Sequence, residues 1–219
     1  MKRTMNGWID KYKEMGALWI HSGNPKQPHA LLTSGNHSDG FFNSGLVTAD
    51  PLVLNEATMN LAEKLLDAGM LKFIFSKIHW VVGPAMGAIT LAHDLARHFG
   101  CLTAFTEKAD GEGVKTMVLK RATLKPGECV LPAEDVLTTG GSVELTAKAI
   151  VDAGGQVFPF VAVLVNRSGL TEVGGKKIVA LIDRPMPMWT PDECPLCKAG
   201  SEAIRAKGSE NWARLKATY

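Results

Sequence analysis

The residues best able to do chemistry lie in one string, VLPAEDVLTTGGS over 130–142. It sets two adjacent carboxylates, Glu134 and Asp135, at the end of an apolar run and follows them with a small, hydroxyl-rich loop. In Thr138, Thr139, Gly140, Gly141 and Ser142 the glycines let the backbone approach an anion. Free N–H groups and hydroxyls point into the turn, and the helix that follows adds the positive end of its dipole. A sugar phosphate suits this arrangement: the phosphate in the loop, and carboxylates that accept from vicinal ribose hydroxyls or hold a hydrated Mg²⁺. The alternative is an acidic strand end before an ordinary glycine turn.

A second pattern, Cys194-Pro-Leu-Cys197, has metal-ligand spacing but supplies only half of a tetrahedral zinc site, so the other ligands would come from another subunit or a distant histidine. A plain thiol pair in a tail turn and a redox pair are the other readings. The six histidines are scattered, and His93 and His98 do not share a helix face, so the histidines are expected to be structural or exposed.

These residues need elements to hold them. From about residue 71, strand-length apolar runs alternate with helical patterns. Strands are expected over 79–83, 101–106, 117–119, 129–133, 157–165 and 178–182. Ala88, Leu91, Ala92, Leu95 and Phe99 form one helical face, and Val143, Ala147, Ile150 and Val151 another. Repeated β-α-β order implies an α/β fold with a mostly parallel sheet flanked by helices. The first 70 residues read differently: a helix over 5–19, short strands over 29–33 and 40–43, and a helix opened by Asp50 and Pro51 that ends near Gly69. The expectation is one domain over 1–219, with a hood over 1–70, a core over 71–184 and an irregular tail over 185–219.

At this point the chain resembles a known family. The 130–142 string is similar to the phosphoribosyl-diphosphate (PRPP) motif of type I phosphoribosyltransferases. LLTSGNHSDGFFNSGLVTADP, VVGPAMGAITLA, FTEKADGEG and VAVLVNRSG resemble, in the same order, segments of orotate phosphoribosyltransferases. The resemblance implies transfer of ribose 5-phosphate from PRPP to N1 of orotate in pyrimidine nucleotide synthesis, with Mg²⁺, by a cytoplasmic homodimer. It also implies roles for single residues. Glu134, Asp135, 138–142, Pro84 and Ala85 would bind PRPP, the GPAMG turn holding pyrophosphate oxygens on its backbone. Lys108 would open a catalytic loop and act with Glu134 and Asp135. Arg167 would meet the orotate carboxylate bidentately, with Thr138 at the pyrimidine edge and Phe41 and Phe42 as an apolar wall. Residues 110–115, with Gly111 and Gly113, would form a lid serving the neighbouring subunit. No direct protein ligand to the metal is implied. The chain departs from the family where the loop after Lys108 carries only Lys115 before the next strand, at Met86 and Thr33 where several relatives are basic, and at Pro132, which is unusual in a central strand.

Composition limits the alternatives. With 24 basic against 22 acidic residues, no whole-chain field favours nucleic acid or an anionic membrane. The longest apolar stretch, 157–165, is too short to span a bilayer, and no secretory signal precedes Asp10, Lys11 and Lys13. A salvage phosphoribosyltransferase for purines or other bases, and a PRPP-sensing regulator of the same fold, are the competing readings. The SGNHSDGFF block argues against the first, and the near-neutral charge with the retained acidic pair against the second.

Overall fold

The computed structural model describes residues 2–70, 77–109 and 116–219. Helix α1 (Met5–Glu14) starts at Thr4, whose hydroxyl accepts from the Gly7 N–H, and buries Trp8, Ile9 and Tyr12. The expectation of a helix through Trp19 is corrected. Gly16 turns left-handed at φ 62°, the Ala17 N–H returns to the Tyr12 carbonyl, and the chain leaves as strand β1 (Leu18–Ile20). After β2 (His29–Leu31) and β3 (His37–Ser38), β4 (Gly40–Phe42) pairs antiparallel with β1. Helices α2 (Ser44–Thr48) and α3 (Pro51–Asp67) complete the hood. Asp50 caps α3, accepting from the Leu52 and Val53 N–H groups, with Pro51 in the first turn where its missing donor costs nothing.

The core follows as β5 (Ile78–Pro84), α4 (Ile89–Phe99), β6 (Leu102–Lys108), β7 (Met117–Val118), β8 (Cys129–Leu137), α5 (Gly141–Asp152), β9 (Gln156–Val157), β10 (Phe160–Asn166), β11 (Glu172–Val173) and β12 (Lys176–Asp183). The main sheet runs β11-β12-β10-β8-β5-β6-β7; β12, β10, β8, β5 and β6 are parallel, and the short edge strands β11 and β7 are antiparallel. The expected mostly parallel α/β sheet is therefore present. Both faces are covered, which is why these strands read as continuous apolar runs. Leu131, Ala133, Ala162 and Leu164 pack toward Leu61, Leu65, Leu91 and Leu95 of α3 and α4. Val82 and Val130 face Ile150, while Leu137, Val161 and Val163 face Val143.

Two strands differ from expectation. The run 157–165 is split at Phe158 and Pro159, so β9 pairs with the start of β8 and β10 with its end. Strand β8 extends beyond residue 133 to Leu137, so Glu134 and Asp135 lie on the strand itself. Its Pro132 is the last partner of β5, opposite Val82, and pairing with β10 begins at Ala133. A residue without an N–H is thus placed where the strand changes neighbours.

The tail is not irregular. Past the core come α6 (Pro195–Lys198), β13 (Ala203–Arg205) and α7 (Ser209–Lys216), and β13 adds in parallel to β2, making a three-stranded β13-β2-β3 sheet. Trp19, Ala30 and Leu32 of the hood pack with Ile204, Trp212 and Leu215 of the tail in a second, smaller core. Two histidines are corrected as well: His29 and His37 are buried side by side against Cys194 and Cys197 rather than scattered. Among the described residues no helix is long and apolar enough to cross a membrane.

Asp50→Ala removes the acceptor for two N–H groups of α3 and is expected to cost about 1 kcal/mol, lowering the melting temperature by about 2–4 °C. Asp50→Asn, which keeps an acceptor, should recover most of that loss in a thermal melt.

Candidate active site

The site follows from chain routing. Strands β5 and β8 are neighbours, yet β5 continues through α4 to β6 on one side while β8 continues through α5 to β9 and β10 on the other. Such a reversal leaves a crevice at the carboxyl ends of the strands. Pro84 and Ala85 sit there at the end of β5, Lys108 at the end of β6, Glu134 and Asp135 near the end of β8, residues 138–142 just after it, and Arg167 just after β10. The sheet thus gathers on one edge residues scattered over 84 positions of sequence, from Pro84 to Arg167.

The loops of β5 and β8 touch. A Cβ at Gly87 would lie 2.6 Å from Asp135 Oδ2, so only a glycine lets this turn meet the carboxylate. Helices α4 and α5 both begin without a side-chain cap, leaving first-turn N–H groups for a ligand at the crevice. Gly140, the residue before α5, is left-handed at φ 86°, and a Cβ there would meet Val173 Cγ2 at 2.5 Å. Thr138 is half-buried, while Thr139 and Ser142 are exposed. This loop is an anion cradle by geometry: small residues, unpaired donors and a helix dipole.

The two carboxylates sit in different surroundings. Successive strand residues face opposite ways, so Glu134 is buried while Asp135 is half-exposed. Burial first, then the Asp135 charge and hydrogen bond, push the Glu134 carboxyl well above its ordinary 4.5. Lys207 from the tail pulls the other way, weakly. The sequence offered no signal for Lys207, since its approach depends on tail folding.

Arg167 is the largest buried charged group. Its backbone N–H bonds the Leu137 carbonyl at 3.0 Å, fixing it beside the cradle. Its guanidinium reaches the hood: Nη1 donates to the Gly40 carbonyl at 2.9 Å and Nη2 to Ser38 Oγ at 2.6 Å. Ser38 Oγ in turn donates to the Pro187 carbonyl at 2.6 Å. Among the described residues Arg167 Nε has no partner and no carboxylate forms an ion pair with it. Burial lowers its pKa to about 10 against the opposing field of Asp39, so it remains charged at neutral pH. A buried cation with an unused donor is an anion receptor in chemical terms.

Not every expected site residue converges. Phe41 and Phe42 do not form one wall, because neighbours on β4 point to opposite faces. Phe42 lies in the main core, edge-on to Tyr12 with ring centroids 5.4 Å apart, whereas Phe41 packs against Trp212 of the tail at 5.8 Å. Lys108 is exposed. The expected lid over 110–115 lies outside the described residues.

Comparison with known proteins agrees with this geometry. The family model for the phosphoribosyl transferase domain matches residues 51–190. The orotate phosphoribosyltransferase of Acidithiobacillus ferrooxidans is 37% identical over 203 residues, covering 92% of this chain and 96% of that protein. That of Nitratiruptor sp. is 35% identical, covering 89% and 94%. Among solved structures, orotate phosphoribosyltransferase from Aeropyrum pernix aligns with a TM-score of 0.58, with 22% identity over 80% of this chain and 92% of that one. Adenine phosphoribosyltransferase from Rhodothermus marinus aligns at 0.52 with 24% identity, over 65% and 86%. These structural likenesses show the shared fold.

Glu134→Gln tests the electrostatics. A carboxyl whose pKa is raised on folding binds its proton more tightly in the native state, so stability falls as pH rises from 4.5 toward the folded value. The variant escapes that loss. Its melting temperature should match the parent near pH 4 and exceed it increasingly above pH 5; parallel curves would refute the burial argument.

Proposed function

The chain belongs to the orotate phosphoribosyltransferase family, and on that premise we propose that it joins the ribose 5-phosphate of PRPP to N1 of orotate, releasing diphosphate and giving orotidine 5′-monophosphate. The observation that carries the choice of base is Arg167, a buried guanidinium with an unpartnered Nε beside the cradle. Orotate differs from uracil by a carboxylate, the group such a donor pairs with best. In this reading the α5 amino end and the hydroxyls of Thr138, Thr139 and Ser142 bind the 5′-phosphate. Glu134 and Asp135 accept from the ribose hydroxyls, and the turn at Pro84 and Ala85 receives the diphosphate. Thr138 meets the pyrimidine edge. As the N1–C1′ bond forms and the bond from C1′ to the diphosphate oxygen breaks, negative charge grows on the leaving group. Lys108, exposed at the same sheet edge, is the cation placed to meet it.

The donor set fits Mg²⁺, since Asp135 sets a half-exposed carboxylate against the Gly87 turn where the diphosphate would lie. When bound with PRPP, the ion would supply neutralisation of the diphosphate charge. The reading includes a cytoplasmic homodimer. In support of the homodimer, Leu46 and the 82%-exposed Leu52 lie on the hood, and a cavity of about 510 Å³ is lined by Pro51, Leu54, Ile89 and Phe105 together with Asp94, Arg97 and Arg121, surface that a second copy would cover.

Nucleotide products from PRPP, Mg²⁺ and a panel of bases test the reaction directly: orotidine 5′-monophosphate is expected, and efficient use of uracil or a purine would favour salvage. Arg167→Ala should lower kcat/KM for orotate by about 10²–10³, the loss of a charged hydrogen-bond partner, with PRPP affinity by calorimetry nearly unchanged. For the dimer, mixing inactive Lys108→Ala and Asp135→Asn chains should restore partial activity if one subunit's loop serves its neighbour. Absence of recovery after proven subunit exchange would remove the cross-subunit arrangement.

A further inference from the structure

Far along the chain from the PRPP loop, four side chains converge that the transferase chemistry does not use. His29 lies on β2, His37 on β3, and Cys194 and Cys197 frame the start of α6. One ligand-type atom from each falls within 4.8 Å of all the others. His29 Nε2 is 3.0 Å from His37 Nδ1 and 3.5 Å from each sulfur, and Cys197 Sγ is 3.2 Å from His37 Nδ1. We infer that these four residues form a closed tetrahedral site for one zinc ion, which fastens the C-terminal tail to the hood.

The nitrogen–nitrogen and three of the nitrogen–sulfur separations lie within about 0.4 Å of those of a tetrahedral zinc site. Zn–S bonds of about 2.3 Å and Zn–N bonds of about 2.05 Å at tetrahedral angles put nitrogens about 3.3 Å apart and nitrogen and sulfur about 3.6 Å apart. Hydrogen bonding accounts for the cluster less well. Ser201 Oγ donates its one proton to the Gln27 carbonyl at 2.6 Å, so it must accept from His29 Nδ1, 2.8 Å away. That fixes the tautomer: His29 Nε2 carries a lone pair facing inward, as a metal ligand held by an outer hydrogen bond does. Three groups then crowd this lone pair, which can accept one good hydrogen bond but can share one cation with all of them.

The donor types select the ion. Two sulfurs and two imidazole nitrogens suit zinc and exclude the oxygen-seeking Mg²⁺ of the PRPP site. Four protein ligands leave no open position, and Cys194, His29 and His37 are buried, so the site is structural rather than catalytic. Its place explains its use. The hood and tail meet through a small second core, a three-residue strand pairing and hydrogen bonds such as Gln27 Nε2 to the Leu215 carbonyl, a contact with little apolar burial, to which a metal adds stability. His37 is also paired with Trp189 through both backbone groups and precedes Ser38, the partner of Arg167 Nη2.

The test uses the full-length protein purified without chelators. Elemental analysis should find about one zinc per chain, and Cys197→Ser should lose it. After exchange into cobalt, the protein should show thiolate-to-cobalt charge transfer and the intense visible bands of a tetrahedral ion. Stripping zinc with a strong chelator should lower the melting temperature by about 5 °C or more, reversed by zinc but not by Mg²⁺. If Cys197→Ser does not fold, the metal content and cobalt spectrum of the parent decide. Parent protein that carries no zinc and takes up none in titration against a competing chromophoric chelator would overturn the inference. So would a Cys194–Cys197 disulfide found by intact mass in protein purified under reducing-agent-free conditions before any chelator is added, which would assign the pair to redox chemistry.

Discussion

Two adjacent parallel strands whose crossovers depart in opposite directions cannot close the space between their carboxyl ends, and the working part of this protein is built on that constraint. Strands β5 and β8 are such a pair. Each sends its chain into a helix whose first N–H groups lack side-chain partners, so the sheet presents two positive helix ends to one crevice. The contact between Gly87 and Asp135 keeps the two loops close enough to act on one ligand. Moving either strand by one place would separate the cradle from the turn.

In the proposed function, the crevice by itself would hold a sugar phosphate without choosing a base. In that proposal choice requires a third direction of approach, and the contact of the hood with a buried charge offers one. Arg167 could not sit dry without partners, so the Gly40 carbonyl and Ser38 Oγ hold two of its nitrogens, and Ser38 is itself held by the Pro187 carbonyl of the tail. Core, hood and tail therefore meet at one guanidinium, which is left with a donor to spare. The fit of the small hood and tail core matters for chemistry because any slack there reaches Arg167.

The role proposed for Glu134 runs against stability. The strand carries this carboxyl into the protein, where burial and the neighbouring Asp135 oppose its ionisation. A fold selected only for stability would place an apolar residue there. The buried acid is sustained by the well-packed strands around it, with Val130, Leu131 and Ala133 buried before it on β8 and Val163 opposite it on β10.

The sequence by itself determined what depends on near neighbours. Alternation of period 2 and 3.6, Asp50 before Pro51, and the order of glycines and hydroxyls over 138–142 set the core strands, the main helices and the glycine turn that opens α5, because each acts through contacts within a turn or two of chain. The same locality explains the misses. Gly16 is a local stop signal set against an apolar pattern that runs on to Trp19, whereas nothing near Phe41 and Phe42 shows which core each will enter. The tail strand β13 has three residues, too few for a period, and its partner β2 lies about 170 residues earlier. Cys194 and Cys197 displayed their spacing, but the histidines beside them are 160 to 168 residues away in sequence. Only tertiary structure decided those meetings, because they are fixed by the packing of whole elements, and no local pattern records which distant surface a side chain will touch.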